Sequence, residues 1–477
     1  MKKISQGICW SYGERFLAQF VSFIVSIVLS RLITPEEFGL VSLVMIFIGI
    51  CNVFVTNGLG TGLIQKKNAD EIDFSTVFWM SLVLSIIIYI ILFIIAPYLE
   101  YYLRYSKINK IIRILGIRII IASVNTIQHA YVSRNMIFKK FFFSTLFGTI
   151  ISAFIGIILA INGFGVWALV IQYLTNTTID TLFLAMTINW HPKLMFKVER
   201  VKYFFEFGWK VLVASLIENL YTNLRSFIIS KRYSTSELAY YNKGTQFPLL
   251  IVSNINSSII TVLFPALSMK QDERENMRIM VKKSVELSSF LLSPLLIGMI
   301  IVAKSLVLII LTEKWIKCIP YIYIFSFAYL FMPIHAINAQ AIKATGHSEI
   351  SLKIEIIKKI IGISIIILTI IYYNTPKALA VSFLLYSIIA LIINSWPGKE
   401  LYNYKCIEQI KDVFKPLILS CIMGCIIFQF SFFINNKVLL IFVQVISGLI
   451  IYYILSKVFR IPGMLYINLL INKKTKV

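Results

Sequence analysis

The sequence predicts an all-α integral membrane protein with about 14 transmembrane helices. Three observations carry that prediction. Of 477 residues, 58% are hydrophobic and only 14% charged, where a soluble chain carries about 25% charged residues. Mean hydropathy is +0.83, and too few charges remain to coat a water-exposed globule. The apolar residues also fall into runs long enough to span a bilayer, each about 20 residues.

The runs, taken in order, are 9–32, 38–64, 76–98, 110–134, 141–162, 165–189 and 206–231, then 237–268, 285–312, 317–342, 351–373, 377–402, 412–434 and 437–460. The first contains Glu14 and Arg15 behind Met1-Lys2-Lys3. That makes it a poor signal-peptide core and a better first helix. The fourth contains Arg118, the sixth Asp180, the seventh Glu218 and Arg225, and the ninth Lys304. Histidines lie in the fourth and tenth, at His129 and His335.

The formal net charge is +24. In a soluble chain this would suggest nucleic acid, but here the basic residues lie mostly between apolar runs. They read as charges that fix orientation, and no basic surface with interleaved aromatics is present to bind single strands. With the N-terminus inside, roughly 30 of the 46 Lys and Arg fall on the inner side and about 11 on the outer. The inner segments include 193–202, 270–283 and the tail with Lys473, Lys474 and Lys476. An even number of spans returns the C-terminus to the same side.

Catalytic signatures are missing: no phosphate-binding GxxxxGK[ST], no HExxH and no GxSxG. The loops leave no room for a soluble catalytic or nucleotide-binding domain, so no enzyme activity and no cofactor are expected. The glycines of Asn57-Gly58-Leu59-Gly60-Thr61-Gly62 miss the dinucleotide spacing and read as close packing or an unwound segment. The six cysteines lack metal-site or CxxC spacing. Cys421 and Cys425, one turn apart in an apolar run, read as packing residues, and no His/Cys pair has metal-site spacing.

The chain repeats itself at an offset of about 200 residues. The first helix carries Arg15, Gln19, Ser22, Ser26 and Ser30 on one face, and the seventh carries Ser215, Asn219, Thr222, Ser226 and Ser230 in the same register. The following loops, Arg31 to Glu37 and Lys231 to Glu237, also align. Six helices per copy make this a parallel repeat. The expected organisation is an N-lobe at 1–190 with helices one to six, a cytoplasmic linker at 191–205 and a C-lobe at 206–402 with helices seven to twelve. Helices thirteen and fourteen and a basic tail fill 403–477.

A polar stripe along a spanning helix is costly against lipid tails and must face other helices or water. Its hydroxyls read as helix-to-helix glue. Its charges cost more, about 2.5–3.5 kcal/mol each at the bilayer centre by insertion scales, and read as cavity walls. Glu14 and Lys304 lie near enough to an interface to snorkel. The cavity candidates are therefore Arg15, Gln19, Arg118, Asn125, Asn219, Thr222 and Arg225, with Glu218 the candidate ion-coupling group. His129 shares a face with Asn125, Ser133 and, less closely, Arg118, and reads as a hydrogen-bonding partner for a neighbouring helix.

The chain resembles the polysaccharide transport family of the multidrug/oligosaccharidyl-lipid/polysaccharide exporter superfamily. The stretches that carry the resemblance are Leu29-Ser30-Arg31-Leu32-Ile33-Thr34-Pro35-Glu36-Glu37-Phe38-Gly39-Leu40, Asn57-Gly58-Leu59-Gly60 with Leu63-Ile64-Gln65-Lys66, and Ser75-Thr76-Val77-Phe78-Trp79. Later ones are Arg134-Asn135-Met136-Ile137-Phe138-Lys139, Gly163-Phe164-Gly165-Val166-Trp167, Phe207-Gly208-Trp209 and Phe264-Pro265-Ala266-Leu267-Ser268. The resemblance implies two six-helix bundles about a central cavity, alternating access and a bacterial cytoplasmic membrane. It implies a flippase for undecaprenyl-diphosphate-linked units of O-antigen, capsule or exopolysaccharide, acting beside glycosyltransferases and a polymerase. The other readings are a lipid II flippase or cation-coupled drug exporter of the same superfamily, an integral-membrane polymerase or ligase, and a membrane scaffold.

Overall fold

The computed structural model describes residues 2–57 and 59–466. Side chains are described within these ranges except at 2–12, 14–16, 59, 207 and 348. No strand occurs among the described residues. The chain divides into two compact units, Met1–Ala239 and Tyr240–Val477.

The first unit contains α1 (Lys2–Leu32), α2 (Pro35–Thr56), α3 (Leu59–Gln65), α4 (Glu71–Leu103), α5 (Ile108–Arg134), α6 (Phe138–Ile161), α7 (Val166–Thr187) and α8 (Val198–Arg232). α9 (Thr235–Ser268) begins at its end and runs into the second unit. That unit continues with α10 (Arg274–Ile310), α11 (Ile319–Tyr329), α12 (Met332–Ala344), α13 (Ser348–Tyr372), α14 (Pro376–Ser395), α15 (Gly398–Tyr402), α16 (Cys406–Gln429) and α17 (Lys437–Val458).

Each run expected from the sequence is occupied by helix. Among the described residues, ten helical segments are long and apolar enough to cross a membrane, so this is a multi-pass membrane protein. The four expected runs outside that set are α1, α7, α8 and α13. Polar residues explain the difference: Asn176, Thr177, Thr178, Asp180 and Thr181 in α7, for example, and Lys353, Glu355, Lys358 and Lys359 in α13. α8, the seventh long run, packs within the first unit against α2, α3 and α4.

One end of the first unit is built by the Thr34-Pro35-Glu36-Glu37 sequence. The Thr34 hydroxyl accepts from the Glu37 amide at 3.4 Å while Glu37 Oε2 accepts from the Thr34 amide at 3.4 Å, a capping box that starts α2. Glu37 Oε1 also accepts from the Val166 amide at 3.1 Å, satisfying the first turn of α7. Gly165 sits there at φ +54, and a Cβ on it would lie 2.3 Å from Glu37 Oε1. Gly39 is tighter still: an added Cβ would sit 1.7 Å from the Thr235 carbonyl oxygen. The resemblance motifs around Glu37 and Gly165 thus form one joint between helix starts.

The opposite end is built around Asp73, which is fully buried. It closes a capping box with Asp70 at the start of α4. Lys66 Nζ reaches it at 2.6 Å and Arg200 Nη1 at 3.4 Å. Burial pushes the Asp70 carboxyl up, but hydrogen bonds from Asp73 and the charges of Arg200 and Lys66 outweigh that and hold it below the ordinary aspartate range. Arg134 ends α5 by donating to the carbonyls of Leu63, Lys66 and Lys67, which fixes the turn after α3. Ser75, Thr76 and Trp79 of α4 hold the linker before α8. They bond the amides of Lys193 (3.2 Å) and Lys197 (3.3 Å) and the Lys193 carbonyl (2.9 Å) respectively. Phe74, Phe78, Tyr131 and Trp190 pack edge and face beneath them.

In the second unit α10 is the central helix, packed against α11, α12, α16 and α17. A buried polar network pins α15. Tyr402 donates to Asn338 Oδ1 at 2.6 Å, Asn338 donates to Gln409 Oε1 at 2.8 Å, and Ser395 donates to the same oxygen at 2.9 Å. His335 lies 3.3 Å from Asn394 Nδ2, so it contacts a neighbouring helix, α14.

Gly39→Ala is expected to destabilise the fold by overpacking, by about 1–3 kcal/mol, because its neighbour is backbone and cannot yield. The thermal midpoint of the detergent-solubilised protein, compared with that of Gly298→Ala (where a Cβ meets nothing within 4 Å), measures this.

Candidate functional site

All eight residues singled out from the sequence fall in the first unit. α5 presents Arg118, Asn125 and His129 at steps of seven and four, and so on one face. α7 presents Tyr173, Thr177 and Asp180 at steps of four and three. α5 and α7 pack together, and the two polar faces meet.

Arg118 is half-buried and reaches both α7 and α2. Its Nε donates to Thr177 Oγ1 at 2.8 Å, and its Nη1 lies 3.7 Å from Met45 Sδ. The guanidinium also stands 5.9 Å from the centre of the Tyr173 ring, within cation–π range. No carboxylate lies within ion-pairing distance of it among the described residues. A neutral hydroxyl and a ring orient the guanidinium without neutralising it, which leaves the charge for an anion.

Two turns further along α5, Asn125 Nδ2 donates to Asp180 Oδ2 at 3.0 Å, and His129 Nε2 lies 3.5 Å from the same oxygen. The His129 ring packs on Phe141 at 4.4 Å between centres. Gly148 lets α6 pass close to this point, since a Cβ there would come within 3.0 Å of the Asn176 carbonyl oxygen. Asp180 Oδ1 is buried with no hydrogen-bond partner among the described residues. An unmatched carboxylate oxygen in a membrane interior is expensive, and such groups mark proton or substrate paths.

On α8, Arg225 is 4% exposed and its guanidinium lies 5.9 Å from the Tyr221 ring centre. Phe227 two residues on meets Phe47 of α2 edge-on at 6.0 Å. Toward the helix start, Asn223 donates to the Asn219 side chain at 3.0 Å, and Asn219 faces Gly49 of α2. Glu218 and Thr222 are exposed, and the Thr222 hydroxyl bonds the Glu218 carbonyl at 2.8 Å. In α1, Gln19 is exposed, and the Arg15 side chain lies outside the described residues.

Sequence reasoning placed Arg118 and Asn125 on one face but did not place Thr177 or Asp180 opposite them. The available signal was the three-residue step from Thr177 to Asp180, which puts hydroxyl and carboxylate on one side of α7.

Residues 28–320 match the family described as polysaccharide biosynthesis protein. The chain belongs to that family. Among its relatives is a membrane protein of the cps region of Klebsiella pneumoniae, 24% identical, with 91% of this chain and 90% of the relative covered. The teichuronic acid biosynthesis protein TuaB of Bacillus subtilis is 22% identical over 90% of this chain and 89% of its own. The lipopolysaccharide biosynthesis protein WzxC of Escherichia coli is 22% identical over 77% and 75%. Among solved structures the fold is similar to that of the lipid II flippase MurJ in an inward closed conformation, with a TM-score of 0.78 and 17% identity over 95% of this chain and 98% of that one. A MATE family multidrug transporter shares the fold at a TM-score of 0.62 and 14% identity, over 83% of this chain and 96% of that one.

The Asn125–Asp180 bond predicts energetic coupling. In a double-mutant cycle with Asn125→Ala and Asp180→Ala, the interaction term should fall at about 0.5–3 kcal/mol, read from unfolding midpoints in detergent. Strict additivity would mean that the bond contributes nothing.

Proposed function

We propose that this protein translocates undecaprenyl-diphosphate-linked oligosaccharide units across the bacterial cytoplasmic membrane by alternating access. The cargo is a unit of O-antigen, capsule or exopolysaccharide. The observation that carries this reading is Arg118, a guanidinium held by Thr177 and Tyr173 with no carboxylate among the described residues to cancel it. Arg suits phosphate because its planar fork binds two oxygens at once. Membership of the polysaccharide biosynthesis family and the flippase-type fold support the same reading.

In this scheme Arg15, Gln19, Arg118, Asn125, Asn219, Thr222 and Arg225 form the polar surface that receives diphosphate and sugar. Glu218 takes up the coupling ion from an exposed position on α8. Asp180 is a second carboxylate suited to that task, because its Oδ1 is unmatched and His129 stands beside it. Both termini lie in the cytoplasm, a reading supported by the nearly threefold excess of Lys and Arg on that side. Glycosyltransferases that build the cargo and a polymerase that consumes it are the partners.

The hydrocarbon tail needs an apolar path, and the second unit offers one. α10, α16 and α17 border a cavity of 450 Å³ lined by Leu295, Gly298, Met423, Val445, Gly448 and Leu449, among others. Gly298 opens into free space there.

Two results test the reading. Arg118→Ala, at normal protein level, should abolish surface polysaccharide and leave lipid-linked units on the inner leaflet. Full surface display in that strain would overturn the assignment of Arg118. Gly298→Phe should fill the tail groove and lower the export rate about tenfold, the equivalent of about 1.4 kcal/mol, with the thermal midpoint unchanged. Pulse-labelling of surface polysaccharide reads both.

A further inference from the structure

The first half of α8 has two distinct faces. Phe205, Gly208, Trp209 and Leu212 line an apolar cavity of 660 Å³ closed by Trp79 and Val83 of α4. Tyr203, Glu206 and Lys210 line a polar pocket of 660 Å³ with Gln65, Lys67 and Asn68. At about 100° per residue, Phe205/Glu206 and Trp209/Lys210 are neighbours around the helix, and the centres of the two sets stand about 140° apart. Groove and pocket therefore flank the same stretch of α8.

The pocket is built on fixed backbone. Arg134 clamps the carbonyls of Leu63, Lys66 and Lys67. Lys66 is committed to buried Asp73 and stands 5.2 Å from the centre of the Tyr203 ring, which it holds. Lys67 and Lys210 have no ion-pair partner among the described residues. Two cations are thus presented beside two amides, one carboxylate and one phenol ring. Two lysines suit a phosphate. Glu206, Gln65 and Asn68 suit hydroxyl donors, which a bare phosphate lacks, and the Tyr203 ring offers a face for a pyranose. The adjoining groove suits hydrocarbon.

We propose that this is a docking site for a phosphate-linked sugar lipid: hydrocarbon along Trp79 and Trp209, phosphate between Lys67 and Lys210, sugar over Gln65, Asn68 and Glu206. The choice of a glycolipid over a bilayer phospholipid rests on three hydroxyl-binding side chains, Gln65, Asn68 and Glu206, beside one phosphate position, more than the headgroup of phosphatidylethanolamine or phosphatidylglycerol can engage. The site is separate from the α5–α7 face and holds cargo before translocation. It rests on the proposed function for the identity of that cargo.

The test uses the full chain in phosphatidylcholine nanodiscs with undecaprenyl-diphosphate-N-acetylglucosamine as probe. A photoreactive benzoylphenylalanine replaces Phe205, so that capture reports this groove alone. Lys67→Gln with Lys210→Gln should lower capture at least fivefold, and Glu206→Ala should lower capture of the sugar-bearing probe but not of undecaprenyl phosphate. Unchanged capture in the double variant overturns the site. Equal competition by phosphatidylglycerol overturns it in favour of a general anionic-lipid surface. Export is measured separately: normal export with unchanged capture sinks the dock alone, and probe capture by a chain that exports nothing sinks the translocase reading alone.

Discussion

The constraint on which this molecule depends is the cost of an unmatched polar group in hydrocarbon. A charge at the bilayer centre costs a few kcal/mol even by lenient scales. The chain meets that cost by pairing polar groups across helices. Asn125 answers Asp180, Thr177 answers Arg118, and Asn338 joins Tyr402 to Gln409. Each bond needs two helices in one register, so the polar residues also set which helices are neighbours. A bilayer supplies no hydrophobic drive between helices, and these pairings take over part of that role.

The same logic explains where the pairing stops. The Asn338 network is closed, with donors and acceptors matched around Gln409, and it pins the short helix α15. The α5–α7 face is not closed. Asp180 keeps an unmatched oxygen, and Arg118 is oriented by a neutral hydroxyl. One set of groups holds structure, and the other holds charge in reserve. That contrast, more than the presence of charge itself, supports the role proposed for the α5–α7 face.

Much of this was legible in the sequence. Helicity followed from composition, and the facing of Arg118, Asn125 and His129 from spacing alone. The family stretches pointed to helix ends, and the structure shows why: Glu37 caps two helices, Arg134 clamps a turn, and Trp79 holds a linker. What the sequence withheld was pairing between distant positions. Asp180 lies 55 residues from Asn125, and no local pattern states that they meet. Nor does any pattern state that α8 packs with the helices before it, because its partners there, α2, α3 and α4, begin more than a hundred residues upstream.

The two ends of the first unit use charge in opposite ways, and that asymmetry constrains how it works. At the Glu37 end, the carboxylate is consumed by the amides of Thr34 and Val166 and by the Thr34 hydroxyl, which ties the starts of α2 and α7 together. At the Asp73 end, one buried carboxylate gathers Lys66 and Arg200, Asp70 shares Arg200, and Glu71 takes Lys193. Lys67 and Lys210 line the neighbouring pocket with no ion-pair partner among the described residues. In the proposed scheme an anion meets Lys67 and Lys210 first, and reaches the guanidinium of Arg118 only within the helical layer. A phosphate drawn from one to the other exchanges hydrated lysines for a weakly hydrated, forked arginine. The order matches the order of desolvation, since the group that demands most water stands where water is available.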